Sequence, residues 1–116
     1  MSCFSEVEQV VKEATKQFAP IFEIDASLED ILYQYCDAID VIGAEVGTEG
    51  FCINIDEISM KISIGVICPE FTVKQNYKTL CELVSRSVEF SIERAEDDDD
   101  EIVITFVFPP IWKRSL

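Results

Sequence analysis

The chain has 116 residues, of which 23 are acidic and 9 are basic, so its formal net charge is −14, and it contains no histidine. This excess of negative charge disfavours binding to nucleic acids and to anionic membranes, because both require clustered lysine and arginine side chains. The absence of histidine removes the most frequent general base at neutral pH and the commonest metal ligand. Hydrophobic residues make up 48% of the chain, which is enough for the core of a single domain over residues 1–116.

The sequence predicts a cytoplasmic protein. Its apolar runs all fall short of the ~20 residues that a membrane-spanning helix needs, and the N-terminal residues do not have the basic and apolar regions of a signal peptide. The five cysteines have no CxxC spacing and are odd in number. This pattern favours buried, free thiols in a reducing compartment.

Two helices are predicted in the first part of the chain. Apolar residues recur at helical spacing over residues 4–18, and Pro20 ends that pattern. Ser27 is the predicted N-cap of the second helix, with Asp30 three residues later as a short capping box. The second helix is expected to end between Gly43 and Gly47, where glycines are frequent.

The middle of the chain changes to a period of two, which is typical of strands. Phe51, Ile53 and Ile55 alternate with polar residues, and a similar alternation follows over 60–66. A short turn at 57–59 is expected to join these two strands, and Pro69 to end the second. Residues 74–86 return to helical spacing and predict a third helix.

The last part of the chain predicts a hairpin around the acidic run. Val88, Phe90 and Ile92 alternate with polar residues, which favours a strand, although one long helix over 74–95 is an alternative. Residues 102–108 are apolar on both faces, so their strand is expected to be central or covered. The predicted order, α-α-β-β-α-β-β, corresponds to an α+β two-layer sandwich: a four-stranded mixed or antiparallel sheet with three helices on one face.

Few side chains are candidates for chemistry. The acidic run includes Asp97, Asp98, Asp99 and Asp100, which are weak candidates for a divalent-cation site; without spaced ligands or a turn glycine, a solvated loop is the alternative. Asp37 and Asp40 lie three residues apart on the second helix, where a solvated surface is the simplest interpretation.

Trp112 follows the last strand and precedes two basic residues. It either anchors a partner protein or folds back on the core. Asp37 and Trp112 are therefore the candidate contacts with a protein partner.

The order of elements resembles that of the histidine-kinase-like ATPases (the GHKL or Bergerat fold), and in particular that of the bacterial anti-sigma-factor serine kinases. The resemblance covers roughly residues 4–110. FSEVEQVVKEATKQF is similar to the opening helix of that family, and LEDILYQYCDAIDVIGAEVG to the helix that carries its nucleotide and magnesium motif. The segment 61–65 is similar to the strand before the adenine-binding motif, and the segment 77–109 to the last helix and hairpin.

The nucleotide-binding residues of the family are replaced in this chain. Cys36 stands near the expected glutamate, and Asp40 near the expected asparagine. Val66 and Ile67 occupy the region of the adenine-binding aspartate, and the glycine-rich lid is reduced to residues 70–75. The resemblance therefore implies a degenerate nucleotide pocket at Cys36, Asp40, Val66 and Ile67, and no cofactor.

The expected function is that of a non-catalytic regulatory domain that binds a protein. An acidic surface suits a basic partner, and the resemblance suggests a partner similar to a sigma factor, together with homodimerisation through the first helix. One alternative is an active, nucleotide-dependent serine kinase of the anti-sigma type. The other is a ferredoxin-like sensor of a small ligand, in which FEID forms an edge strand and 74–95 a single helix.

Overall fold

A computed structural model describes residues 3–43, 51–96 and 100–115. The helices are α1 (Cys3–Phe18), α2 (Ala26–Gly43), α3 (Glu70–Gln75) and α4 (Tyr77–Arg86). The strands are β1 (Phe22–Ile24), β2 (Phe51–Ile55), β3 (Ile62–Pro69), β4 (Glu89–Arg94), β5 (Glu101–Phe108) and β6 (Trp112–Arg114). None of the helices in these ranges is long and apolar enough to cross a membrane.

The main sheet has four antiparallel strands in the order β2-β3-β5-β4. Helices cover one of its faces, so the chain is an α+β two-layer sandwich, as the sequence predicts. Strand β5 lies between β3 and β4, which confirms the central position expected from its apolar residues. Residues 89–94 form β4, so the alternative of one helix over 74–95 is wrong.

The core lies between the sheet and the helices. In β3 and β5, every second residue is buried, and the buried positions face each other across the ladder, as in the pairs Ile64–Phe106 and Val66–Ile104. Helices α1, α2 and α4 add their apolar stripes to the same cluster. Each large aliphatic or aromatic side chain fully buried here contributes about 1.5–3 kcal/mol.

Helix α2 begins differently from the prediction. Ser27 lies inside the helix, and Asp25 is the residue that caps it: its Oδ1 accepts hydrogen bonds from the Ser27 amide (3.1 Å) and the Ser27 hydroxyl (2.7 Å). The hydroxyl hydrogen bond lowers the pKa of the Asp25 carboxyl. An aspartate in this position satisfies amides at the helix N-terminus and stabilises its dipole.

The turn between β2 and β3 lies where the sequence predicts it. The Asp56 carboxylate accepts hydrogen bonds from the amides of Ile58 (2.9 Å) and Ser59 (3.3 Å). Met60 closes the turn in the left-handed region, with φ 59°. Its side chain is buried, so packing holds a backbone conformation that is uncommon for methionine.

The structure contains a second, two-stranded sheet, which the predicted order of elements does not include. Strand β1 pairs antiparallel with β6, with Ile24 opposite Trp112. The Asp25 amide donates to the Ile111 carbonyl at 2.7 Å, and the Ser115 amide donates to the Ile21 carbonyl at 2.9 Å. This ribbon holds the C-terminal segment against the loop between α1 and α2.

Candidate functional site

Strand β4 is an edge strand whose apolar face is incompletely covered. Its register places Phe90 opposite Phe106 and Ile92 opposite Ile104, so both side chains lie on the helix-covered face of the sheet. Phe106 and Ile104 are buried, whereas Phe90 is 51% exposed and Ile92 is 48% exposed. Within the described ranges, the helical layer therefore covers β4 only in part.

The other edge of the sheet provides the contrast. Ile53 and Ile55 of β2 lie on the corresponding face and are partly buried against the core, next to α1. Among the described helices, none packs along β4 as α1 packs along β2, so Phe90 and Ile92 remain half-exposed. Val88, which precedes the strand, is also 48% exposed. We call Phe90 and Ile92 the edge stripe.

The main chain of β4 is open on the side away from β5. The Ala95 amide donates to the Glu101 carbonyl at 3.0 Å, which fixes the alternation of the antiparallel ladder. By that alternation, the N–H and C=O groups of Phe90 and Ile92 are directed away from β5. Within the described ranges, β4 pairs with β5 alone, so these groups are positioned to bond another strand.

A cavity of about 350 Å³ lies between Ile92 of β4 and the helices α3 and α4. Its apolar lining comes from Val73, Tyr77, Leu80, Ile92 and Ile102. We call this cavity the edge groove. Tyr77 is 66% exposed at its rim, and a hydrogen bond with the Cys81 thiol raises the pKa of its phenol.

The charges around β4 have a defined arrangement. At one end, the Glu70 carboxylate forms ion pairs with Lys74 (3.7 Å) and Arg94 (3.4 Å). On the uncovered face of the sheet, Glu89 and Glu93 are exposed and alternate with the residues of the edge stripe. The edge thus presents apolar side chains on one face and carboxylates on the other.

The four positions of the degenerate nucleotide pocket do not line a common cavity. Cys36 and Val66 are 0% and 1% exposed and belong to the core. Ile67 follows Val66 on β3 and lies on the opposite face of the sheet, where it is 37% exposed. Asp40 is half-buried on α2, one turn after Cys36.

The two residues predicted to contact a partner have different environments. Asp37 is exposed on α2 and lines a shallow depression with Phe4, Asp30, Tyr33 and Gln34. Trp112 is 6% exposed, its indole Nε1–H donates to Thr15 Oγ1 at 3.1 Å, and its ring meets Phe18 edge-on at 5.5 Å. Trp112 is therefore a core residue of this chain and not an exposed anchor.

Of the four candidate cation ligands in the acidic run, Asp100 alone lies among the described residues. Asp97, Asp98 and Asp99 lie outside the described residues, whereas Asp100 is exposed and its carbonyl accepts the Glu70 amide at 2.9 Å. Among the residues that the structure describes, no group of three acidic or cysteine side chains is arranged to hold a metal ion.

The edge groove was missed by sequence reasoning, although part of its signal was visible. The alternation of Val88, Phe90 and Ile92 indicated a strand with an apolar face. Whether that face is covered depends on how far the helical layer extends, and no local sequence pattern indicates this. Comparison with protein-family models, curated proteins and solved structures finds no match to this chain.

Proposed function

We propose that this chain is a non-catalytic protein-binding domain that adds an extended segment of a basic partner protein to the open edge of β4. The observation that carries the proposal is the half-exposed edge stripe on a strand whose outer main-chain groups face away from the sheet. Addition of a strand to a sheet edge is a recurrent mode of peptide recognition, in which main-chain hydrogen bonds supply affinity and side-chain pockets supply specificity.

The edge predicts the sequence pattern of its partner. In an added strand, successive side chains point to opposite faces. Those on the helix side would cover Phe90 and Ile92 and reach the edge groove, so they are expected to be apolar. Those on the other side would lie next to Glu89 and Glu93, so they are expected to be lysine or arginine. Each favourable cross-strand pair contributes roughly 0.2–1 kcal/mol.

A regulatory role without catalysis is consistent with the composition of the chain. There is no histidine for general-base chemistry. Cys36 and Val66, which by the resemblance would stand at the nucleotide pocket of the anti-sigma-factor kinases, are buried in the core. The resemblance to anti-sigma-factor kinases supports a cytoplasmic, basic partner that itself binds nucleic acid. Self-association through α1 stays a prediction.

Synthetic peptides test the proposal directly. Three seven-residue peptides are compared: one with alternating valine and lysine, one with the same residues in two blocks, and one with alternating valine and glutamate. Backbone amide signals of the protein are followed by NMR during titration. The alternating valine–lysine peptide should shift the signals of 88–94 and should bind more weakly at high salt, because exposed charge pairs are screened.

Two matched substitutions complete the experiment. Ile92→Lys places a charge on the edge stripe, and Ile67→Lys makes the same change at a partly exposed isoleucine of β3. Ile92→Lys should abolish peptide binding, and Ile67→Lys should leave it unchanged, with the circular dichroism of both variants like that of the wild type. Absence of shifts at 88–94, or equal loss of binding in both variants, would refute the proposal.

A further inference from the structure

A second cavity lies on the other side of α4, where α2 meets the end of β5. Its volume is about 190 Å³. Leu28, Ile31 and Leu32 of α2 form one wall, and Phe108 and Ile111 form the opposite wall. Leu28 and Ile31 are 36% and 40% exposed, so the cavity opens to solvent between them.

An aromatic stack forms part of this cavity. The rings of Tyr35 and Phe108 are parallel to within 3°, with their centroids 5.6 Å apart. The segment after Phe108 begins with two prolines and is anchored by the hydrogen bond from the Asp25 amide to the Ile111 carbonyl. A stacked pair and a proline-restricted segment give the cavity walls little conformational freedom.

Among the described residues that line the cavity, Arg86 is the only charged one. Its guanidinium carbon lies 5.8 Å from the centroid of the Tyr35 ring, in a cation–π contact. Within the described part of the chain, it forms no ion pair with a carboxylate. Arg86 is exposed, and a guanidinium group that is not ion-paired is available to an anion from outside.

We infer that this cavity binds a small monocyclic aromatic carboxylate, with the ring among the apolar walls and the carboxylate on Arg86. The size fits, because an apolar cavity of about 150 Å³ is sufficient for benzene. The chemistry fits as well, because the planar guanidinium group binds carboxylates in a two-pronged geometry. The inference does not depend on the proposed partner of β4, since Phe90 and Ile92 do not line this cavity.

Benzoate and benzamide form the matched pair of probes, because they have the same shape and differ in charge. Each is titrated into the protein up to about 20 mM, while the NMR signals of Tyr35 and Phe108 are followed; ligands this small are expected to bind weakly. Benzoate should shift both residues and bind about five- to tenfold more tightly than benzamide, as expected for a hydrogen bond between charged groups at a partly exposed site.

Two arginine variants separate the role of Arg86 from a general effect of charge. Arg86→Gln should reduce the affinity for benzoate to that for benzamide and leave the affinity for benzamide unchanged. Arg114→Gln removes an equal charge from β6 and should change neither the affinity for benzoate nor the affinity for benzamide. The peptide acetyl-Gly-Gly-Phe offers the same ring and carboxylate at a chain terminus. The inference is overturned if benzoate causes no shifts at Tyr35 and Phe108, if benzamide binds equally well, or if only the peptide binds.

Discussion

The hydrogen bond between Thr15 and Trp112 predicts a measurable coupling between α1 and the C-terminal segment. The Thr15 hydroxyl donates to the Val11 carbonyl at 2.7 Å and accepts the indole N–H at 3.1 Å. Thr15→Val keeps the shape of the side chain and removes the acceptor, so an indole N–H that is largely buried loses its partner. The expected loss of unfolding free energy is about 1–2 kcal/mol, which combines a net hydrogen bond with the cost of an unsatisfied donor.

A double-mutant cycle with Trp112→Phe isolates this interaction. Urea unfolding is followed by far-UV circular dichroism, because Trp112 is the single tryptophan of the chain and its fluorescence is lost in two of the variants. The coupling energy should be about 1 kcal/mol. Thr79→Val, the same change at a half-buried threonine of α4, is the control. A coupling below about 0.3 kcal/mol, or an equal loss in the control, would show that the hydrogen bond does not hold the two segments together.

Three further predictions concern the thiols, the core and the response to acid. Cys52 and Cys81 are exposed and should react rapidly with a thiol reagent in the native protein. Burial raises the pKa of Cys68 to about 11 and should keep this thiol unmodified until the protein unfolds. Mass spectrometry of the peptides shows which cysteines have reacted. Leu83 is 0% exposed, and Leu83→Ala should cost about 2–5 kcal/mol in chemical denaturation; a smaller loss would contradict its core position. The pKa of Asp25 is lowered from 3.8, so its ionised form stabilises the fold above that pH and the contribution is lost as the pH falls through the folded-state pKa. The stability difference between wild type and Asp25→Asn should therefore shrink below about pH 3.8, and a constant difference would contradict the role of its charge.

The elements of the main sheet could be predicted because their pattern is local. The period of two in 51–55 and 60–66 results from one buried face per strand, and residues 102–108 are apolar on both faces because their strand is central; the structure confirms these strands, the second of them over Ile62–Pro69. The same pattern correctly separated β4 from a continuation of α4. Helices α1 and α2 were likewise visible from their apolar stripes.

The ferredoxin-like alternative placed FEID in an edge strand, where the structure has β1, but the pairing of β1 with β6 could not be predicted from a local pattern. Each strand has three residues, too few to establish a period, and the pairing joins Ile24 to Trp112 across most of the chain. The location of Trp112 depended on that pairing, so the sequence left two alternatives open. The α2 cap was misplaced by two residues because Asp25 and Ser27 are both good capping residues.

The charge of β4 argues that its partner is a different protein and not a second copy of this chain. Exposed edges promote unwanted pairing, and proteins often counter it with charged side chains on the edge strand. If two β4 strands paired antiparallel, the Glu89 and Glu93 side chains of both copies would lie on one face, where like charges directly opposite each other are destabilising. The net charge of −14 adds long-range repulsion between copies. With a basic strand, both the cross-strand interaction and the long-range interaction become attractive. The same carboxylates that oppose self-pairing would therefore favour the proposed partner.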